Sequence, residues 1–414
     1  MPDDDDPGFF SVRPKVLILI GAVTGSLLMV ALVVAWFVMP RWASAFVVDK
    51  SPWIGPAFEA AVHGGLESEF RARLDQWGDA VVPAMCSRLG SREAKWRKFA
   101  VDILSRRKDP RSVEPLIAAL SEPEPELLLS VMKALGNLRD HRASAPMLKE
   151  IRRVAKHDGY LARAAAFTVG NLAHPDLFDQ VSATLLAPSQ PAPLQALGCM
   201  ALHGSADPRA LTVLDERLGK SSYSLWRSSD SDLAGEALGQ SRQPGALAII
   251  RRCLADGDAD RRFGAVIAAT YNKDGSLLES LLALTVDPDV KTARVLCQAL
   301  AKHPTESAVA ALGRLVEKSG EVSGFAASAL GLNKSLAAVP ALVSLLAHPT
   351  AGIRIKAINS LCRSTNPSPA TIEALMRMAD DPEFKVVLAL KSAAFNYNLP
   401  LTTEQREKLK NIGH

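Results

Sequence analysis

Few residues in this chain are placed to do chemistry. Eight histidines occur in 414 residues. None stands in the H-E-x-x-H spacing that puts two zinc ligands on one helix face beside a glutamate base. C-x-x-C is absent, as is the glycine-lysine signature of a phosphate-binding loop. His141, His174, His203, His303 and His348 fall at the ends of helical stretches or in turns. There a histidine is expected to meet helix carbonyls or solvent rather than a metal. Asp256-Gly257-Asp258-Ala259-Asp260 begins like a calcium loop. Arg261 replaces the turn glycine and Ile267 the bidentate glutamate, which leaves an ordinary polar turn. Cys86, Cys199, Cys253, Cys297 and Cys362 lie in apolar helical stretches and are too few for a disulfide scaffold, so buried free thiols are expected. No catalytic set, metal or cofactor is implied.

The elements that carry these residues follow from composition and periodicity. Hydrophobic residues make up 48% and charged residues 22%, which excludes wholesale disorder. The apolar content is rich in Leu, Ala and Val with only 6% aromatic, a helical composition. A small–Leu–small triplet recurs: Ile103-Leu104-Ser105, Ala134-Leu135-Gly136, Thr168-Val169-Gly170, Ala201-Leu202-His203 and Ala237-Leu238-Gly239. It continues as Ala268-Ala269-Thr270, Ala299-Leu300-Ala301, Ala329-Leu330-Gly331 and Ser360-Leu361-Cys362. The centres are spaced by 31, 34, 33, 36, 31, 31, 30 and 31 residues, the signature of stacked repeats. Pro83, Pro115, Pro146 and Pro340 stand 20 to 23 residues before a centre, each opening an apolar run. A first helical turn tolerates proline because its N–H has no partner there. Each unit is therefore a first helix, a polar turn and a second helix. Thr402 or Thr403 is placed to cap a short closing helix, and residues 64–76 to close the front.

Asp109-Pro110-Arg111-Ser112-Val113-Glu114-Pro115-Leu116-Ile117, followed by Ala134-Leu135-Gly136-Asn137-Leu138, resembles the HEAT repeat, in its short bacterial form also found in phycobilisome lyases. The resemblance implies an all-α fold, an α-solenoid of about ten helical hairpins over residues 64–414. The family places an arginine early in the second helix. Arg97, Arg262 and Arg354 fill that place, Lys291 approximates it, and Leu128, Ala162 and Ser323 do not. No histidine is followed by glutamate, so the His-Glu pairs of the di-iron hydroxylases of this fold are absent.

One stretch departs from the repeats. Residues 16–39 carry no charge over 24 positions, and such a helix would be about 36 Å long against a hydrocarbon core of about 30 Å. Arg13 and Lys15 precede it, and Trp36, Arg41 and Trp42 mark its far end. We read residues 1–15 as a disordered acidic tail, 16–39 as a transmembrane helix and 40–63 as a linker. Ala43-Ser44-Ala45 could serve as a signal-peptidase site, but the apolar run far exceeds the usual 7–15 residues of a cleaved signal. Lys and Arg are tied across the span; the basic pair before it resembles a signal-anchor, which places the body outside a bacterial inner membrane. The opposite orientation, with the body cytoplasmic, is the alternative.

The expected function is a membrane-tethered scaffold for protein partners. The alternatives are a bilin-lyase-like enzyme and a nucleic-acid-binding HEAT protein. Against the last, 48 Lys+Arg balance 44 Asp+Glu, and +4 over the whole chain gives no nucleic-acid footprint. The longest unit carries its excess between Leu218 and Asp232. There Tyr223, Trp226 and Arg227 combine the residue types that dominate interfaces, which makes them the candidate partner-binding residues.

Overall fold

The computed structural model describes residues 81–410, apart from 221–231, 273, 287–288, 319 and 364–366. The tail 1–15, the apolar run 16–39, the linker 40–63, the front segment 64–76, and Tyr223, Trp226 and Arg227 lie outside the described residues. Among the described residues there are 21 α-helices and no β-strand. No helix among them is long and apolar enough to cross a membrane.

Two compact units divide within one helix, the first ending at Ala134 and the second beginning at Leu135. The first contains α1 (Val82–Arg88), α2 (Ala94–Arg107), α3 (Val113–Ala118) and most of α4 (Pro125–Leu138). The second continues in hairpins. These are α5 (Ser144–Val154) with α6 (Gly159–Gly170), α7 (Leu177–Val181) with α8 (Ala192–Ala201), and α9 (Pro208–Arg217) with α10 (Leu233–Gln240). Next come α11 (Gly245–Leu254) with α12 (Ala259–Tyr271), α13 (Leu278–Ala283) with α14 (Val290–Ala301), and α15 (Glu306–Val316) with α16 (Glu321–Leu330). Then follow α17 (Ala338–Ser344) with α18 (Ala351–Cys362), α19 (Pro369–Arg377) with α20 (Phe384–Asn396), and the closing helix α21 (Thr403–Lys410). The α7 helix runs on through a π-turn, Ser182–Leu186.

Local chemistry sets these bounds. Pro83, Pro115, Pro146 and Pro340 each fall within the first three residues of their helix. Aspartates cap second helices: Asp158 accepts from Leu161 N at 2.9 Å, Asp258 from Asp260 N at 2.8 Å, and Asp289 from Thr292 N at 2.9 Å. The acidic stretch at Asp256 is thus a helix cap and turn. Thr402 is the cap of α21, exchanging hydrogen bonds with Gln405 in both directions. Where one hairpin leads to the next, an Asp-x-Arg sequence recurs. Asp109, Asp140 and Asp207 each accept from the backbone N–H two residues on, at 2.8, 3.0 and 2.8 Å, and also hold that residue's guanidinium.

In the second unit each second helix from α6 to α20 packs on the next. The triplets close these helices and supply the small residues of the contact. A Cβ on Gly136 would strike the Thr168 side chain, one on Gly239 the Ala268 carbonyl, and one on Gly331 the Ser360 side chain, all under 3.0 Å. Each glycine therefore meets the first residue of the next triplet. Two triplets overrun their helices, since α8 ends at Ala201 and α16 at Leu330.

The arginine place works identically wherever it is filled. Arg97 donates to the carbonyls of Ser91 and Arg92, Arg262 to those of Asp256 and Gly257, and Arg354 to those of His348 and Pro349. Each guanidinium so ties down the turn before its own helix. Arg97 also forks onto Glu122 at 2.7 and 3.0 Å, and Arg354 onto Asp381 at 2.8 Å twice. The five cysteines are free thiols, four of them buried and Cys86 half-buried. Burial pushes Cys199, Cys297 and Cys362 up to about 12.

Candidate binding cleft

The described part of the second unit contains a cleft of about 590 Å³ where α6, α8 and α10 end and the chain turns to the next hairpin. Arg139, Phe167, Asn171, His203, Gln240 and Arg242 are among the residues lining it. Arg139 follows α4 with φ at +54°, a left-handed residue that ends the helix. The floor is backbone at close quarters. A Cβ on Gly170 would overlap the His203 ring, and one on Gly204 the Gly170 carbonyl.

Into that space the His203 ring lies flat against Phe167, with centroids 4.7 Å apart and planes 6° apart. His203 is 7% exposed and Phe167 37%, so the pair presents one ring face. His203 Nδ1 is 3.0 Å from the Met200 carbonyl, to which it donates, and Nε2 faces the Asn171 amide at 3.3 Å. Burial holds the imidazole below its ordinary range; the Met200 carbonyl opposes this and the Arg242 charge adds to it. The ring is therefore neutral near pH 7. Arg139 and Arg242 are exposed, and among the described residues neither has an ion pair and no carboxylate lines the cleft.

Elsewhere several titratable groups pair with one another across hairpins. Glu236 in α10 is buried and pairs with Arg163 of α6, and the Tyr271 side chain reaches the same carboxylate. Burial raises the Glu236 carboxyl, Arg163 notwithstanding. Asp215 gathers Arg252 and Arg261, and Arg261 also donates to Cys253 Sγ at 3.1 Å. Among the described residues no group of three or more His, Cys, Asp or Glu side chains is placed to hold a metal.

The histidines only partly meet expectation. His203 does meet a helix carbonyl, but it is buried. His174 meets neither a carbonyl nor solvent: it is 8% exposed, and neither ring nitrogen has a partner. Its neighbour is the His141 ring, 6.3 Å away. Burial beside His141 took the place of capping. Of the long insertion, only the edges are described. Gly219 leaves α9 with φ at +80°, so close to the Asp260 backbone that a Cβ would overlap it.

The cleft lay beyond sequence reasoning, since its walls come from four segments about a repeat apart. Local signals were the extra Arg139 beside the Asp140–Arg142 pair and Arg242 in a turn, Gln240 to Gln243, that carries no acid.

Comparison with known proteins agrees with this architecture. The family model for HEAT repeats matches residues 82–159 and 317–393, so those two segments carry HEAT repeats. Among solved structures the chain is similar to the karyopherin Kap121p bound to the extreme C-terminus of the protein phosphatase Cdc14p. The identity is 14% over 80% of this chain and 43% of that one, with a TM-score of 0.42. It is also similar to an engineered protein, with 19% identity over 77% of this chain and 98% of that one and a TM-score of 0.30. For human deoxyhypusine hydroxylase in complex with glycerol the values are 18%, 77%, 96% and 0.27. This chain spans less than half the length of the karyopherin. No curated protein matches.

Proposed function

We propose that the protein is a membrane-tethered scaffold that docks protein partners on its helical repeats and catalyses no reaction. The observation that carries this reading is the unbroken row of second helices from α6 to α20, which builds one surface from eight hairpins. Basic and aromatic side chains of neighbouring helices meet along that row. Lys302 approaches the Tyr271 ring at 5.4 Å, Arg294 the Phe325 ring at 5.4 Å and Lys291 the Phe263 ring at 4.2 Å. Such a surface suits an extended partner better than a small substrate.

The tether rests on the uncharged run 16–39. The signal-anchor pattern places the repeats outside a bacterial inner membrane. Confinement to the membrane plane raises the effective concentration for partners held there. The full chain is expected to stay in the membrane pellet after carbonate washing, and a chain beginning at Ser51 to be soluble and helical. A mature amino terminus at Phe46 by mass spectrometry would overturn the tether. Proximity labelling from the carboxy terminus in intact cells reports the side and the partners together. Failure to recover a reproducible set above an anchor-only control would overturn the scaffold.

A further inference from the structure

We infer that the cleft at the ends of α6, α8 and α10 binds an acidic segment of an extended peptide, with Arg139 and Arg242 each on one of its carboxylates and the peptide between them lying over the Phe167–His203 face. This rests on the scaffold reading and names a docking point within it.

The first observation is a charge that the fold leaves unmatched. Arginines nearby are paired: Arg142 with Asp140 at 2.8 Å, Arg209 with Asp207 at 2.6 Å, and Arg261 with Asp215 at 2.6 Å. Arg139 stands beside Asp140, yet that carboxylate is committed to Arg142, whose hydrogen bond holds it down at about 2. Asp207, in the equivalent turn after α8, is committed to Arg209 in the same way. The Asp-x-Arg device thus uses up the acids that would have neutralised the cleft. Two guanidiniums are left, both on its lining and neither in an ion pair among the described residues. Guanidinium forks match a carboxylate with two parallel hydrogen bonds, stronger than bonds between neutral groups.

The second observation is what lies between them. Phe167 and His203 offer a flat apolar face. Gln240, also on the lining, has a side-chain amide with no hydrogen-bond partner among the described residues. It presents one donor and one acceptor, the complement of a peptide unit. A net charge of +4 over the whole chain is not that of a polyanion-binding protein. The volume, about 590 Å³, falls within the range of about 300–1,000 Å³ that encloses small ligands, so it takes a short segment rather than a domain.

The test uses the purified full chain in detergent and an array of octapeptides of mixed sequence. The retained peptides should be enriched in Asp and Glu. The best of them, labelled and titrated in solution, should lose at least tenfold in affinity for R139A/R242A and nothing for R363A, an exposed charge outside the cleft. R139E/R242E should instead retain peptides enriched in Lys and Arg, an inversion that misfolding cannot mimic. Absence of Asp/Glu enrichment, or an affinity unchanged in R139A/R242A, overturns the inference. In cells, a partner set recovered equally by wild type and R139A/R242A overturns the cleft and leaves the scaffold standing. If wild type recovers no set, the scaffold falls, and the array alone judges the cleft.

Discussion

Gly204 shows how little room a single residue has in this fold. A Cβ there would overlap the Gly170 carbonyl, which belongs to the preceding hairpin. A methyl group can be accommodated only by moving the turn after α8 against the end of α6, because the obstacle is backbone. We expect Gly204→Ala to lower stability by about 1–3 kcal/mol, the usual cost of overpacking, as read from the urea midpoint. Gly313 is the contrast. It lies inside α15, and its added Cβ meets nothing within 4 Å. Gly313→Ala should raise stability by up to about 1 kcal/mol through helix propensity. An equal effect at both positions would refute the close-approach account.

The element scale belongs to the arginine that opens a second helix. Arg354 and Asp381 have side chains only 10% and 4% exposed. Burial alone would raise the Asp381 carboxyl, but the Arg354 hydrogen bonds and the backbone N–H of Glu383 leave it below its ordinary value. Removing the guanidinium strands a buried carboxylate, so Arg354→Met should cost about 3–5 kcal/mol. Because the folded pKa is depressed, the pair's contribution is complete above the unfolded value of about 3.9 and is lost as pH falls through the lower folded one. Denaturation midpoints from pH 6 to 2 should therefore converge for wild type and Arg354→Met at the acid end. The sequence made this element legible. The triplet period located nine of the ten second helices, all but α20, and the arginine place was visible at Arg97, Arg262 and Arg354. Its acidic partners are 25 and 27 residues away, at Glu122 and Asp381, and only the fold brings them in. The cleft was illegible for the same reason. Arg139, Phe167, His203 and Arg242 belong to successive repeats, and neither the left-handed φ of Arg139 nor the stacking of His203 leaves a mark on local spacing.

On the scale of the whole molecule, stability in a stack of hairpins is a sum of local terms and nearest-neighbour contacts, so damage stays near its origin. The cysteines make this measurable without any added label. Cys86, Cys199, Cys253, Cys297 and Cys362 lie in the first, fourth, sixth, seventh and ninth hairpins. A thiol reacts as thiolate, and burial that pushes Cys199 and Cys362 up to about 12 keeps that form scarce while the hairpin is closed. Half-buried Cys86 should be alkylated first in the folded chain. Gly204→Ala should speed the alkylation of Cys199, followed by peptide mass spectrometry, and leave that of Cys362 unchanged. Equal acceleration at both would show that the second unit opens as one body. The chain thus carries its own set of clocks, one wound into each of five hairpins, and the order in which they start would chart how the stack comes apart.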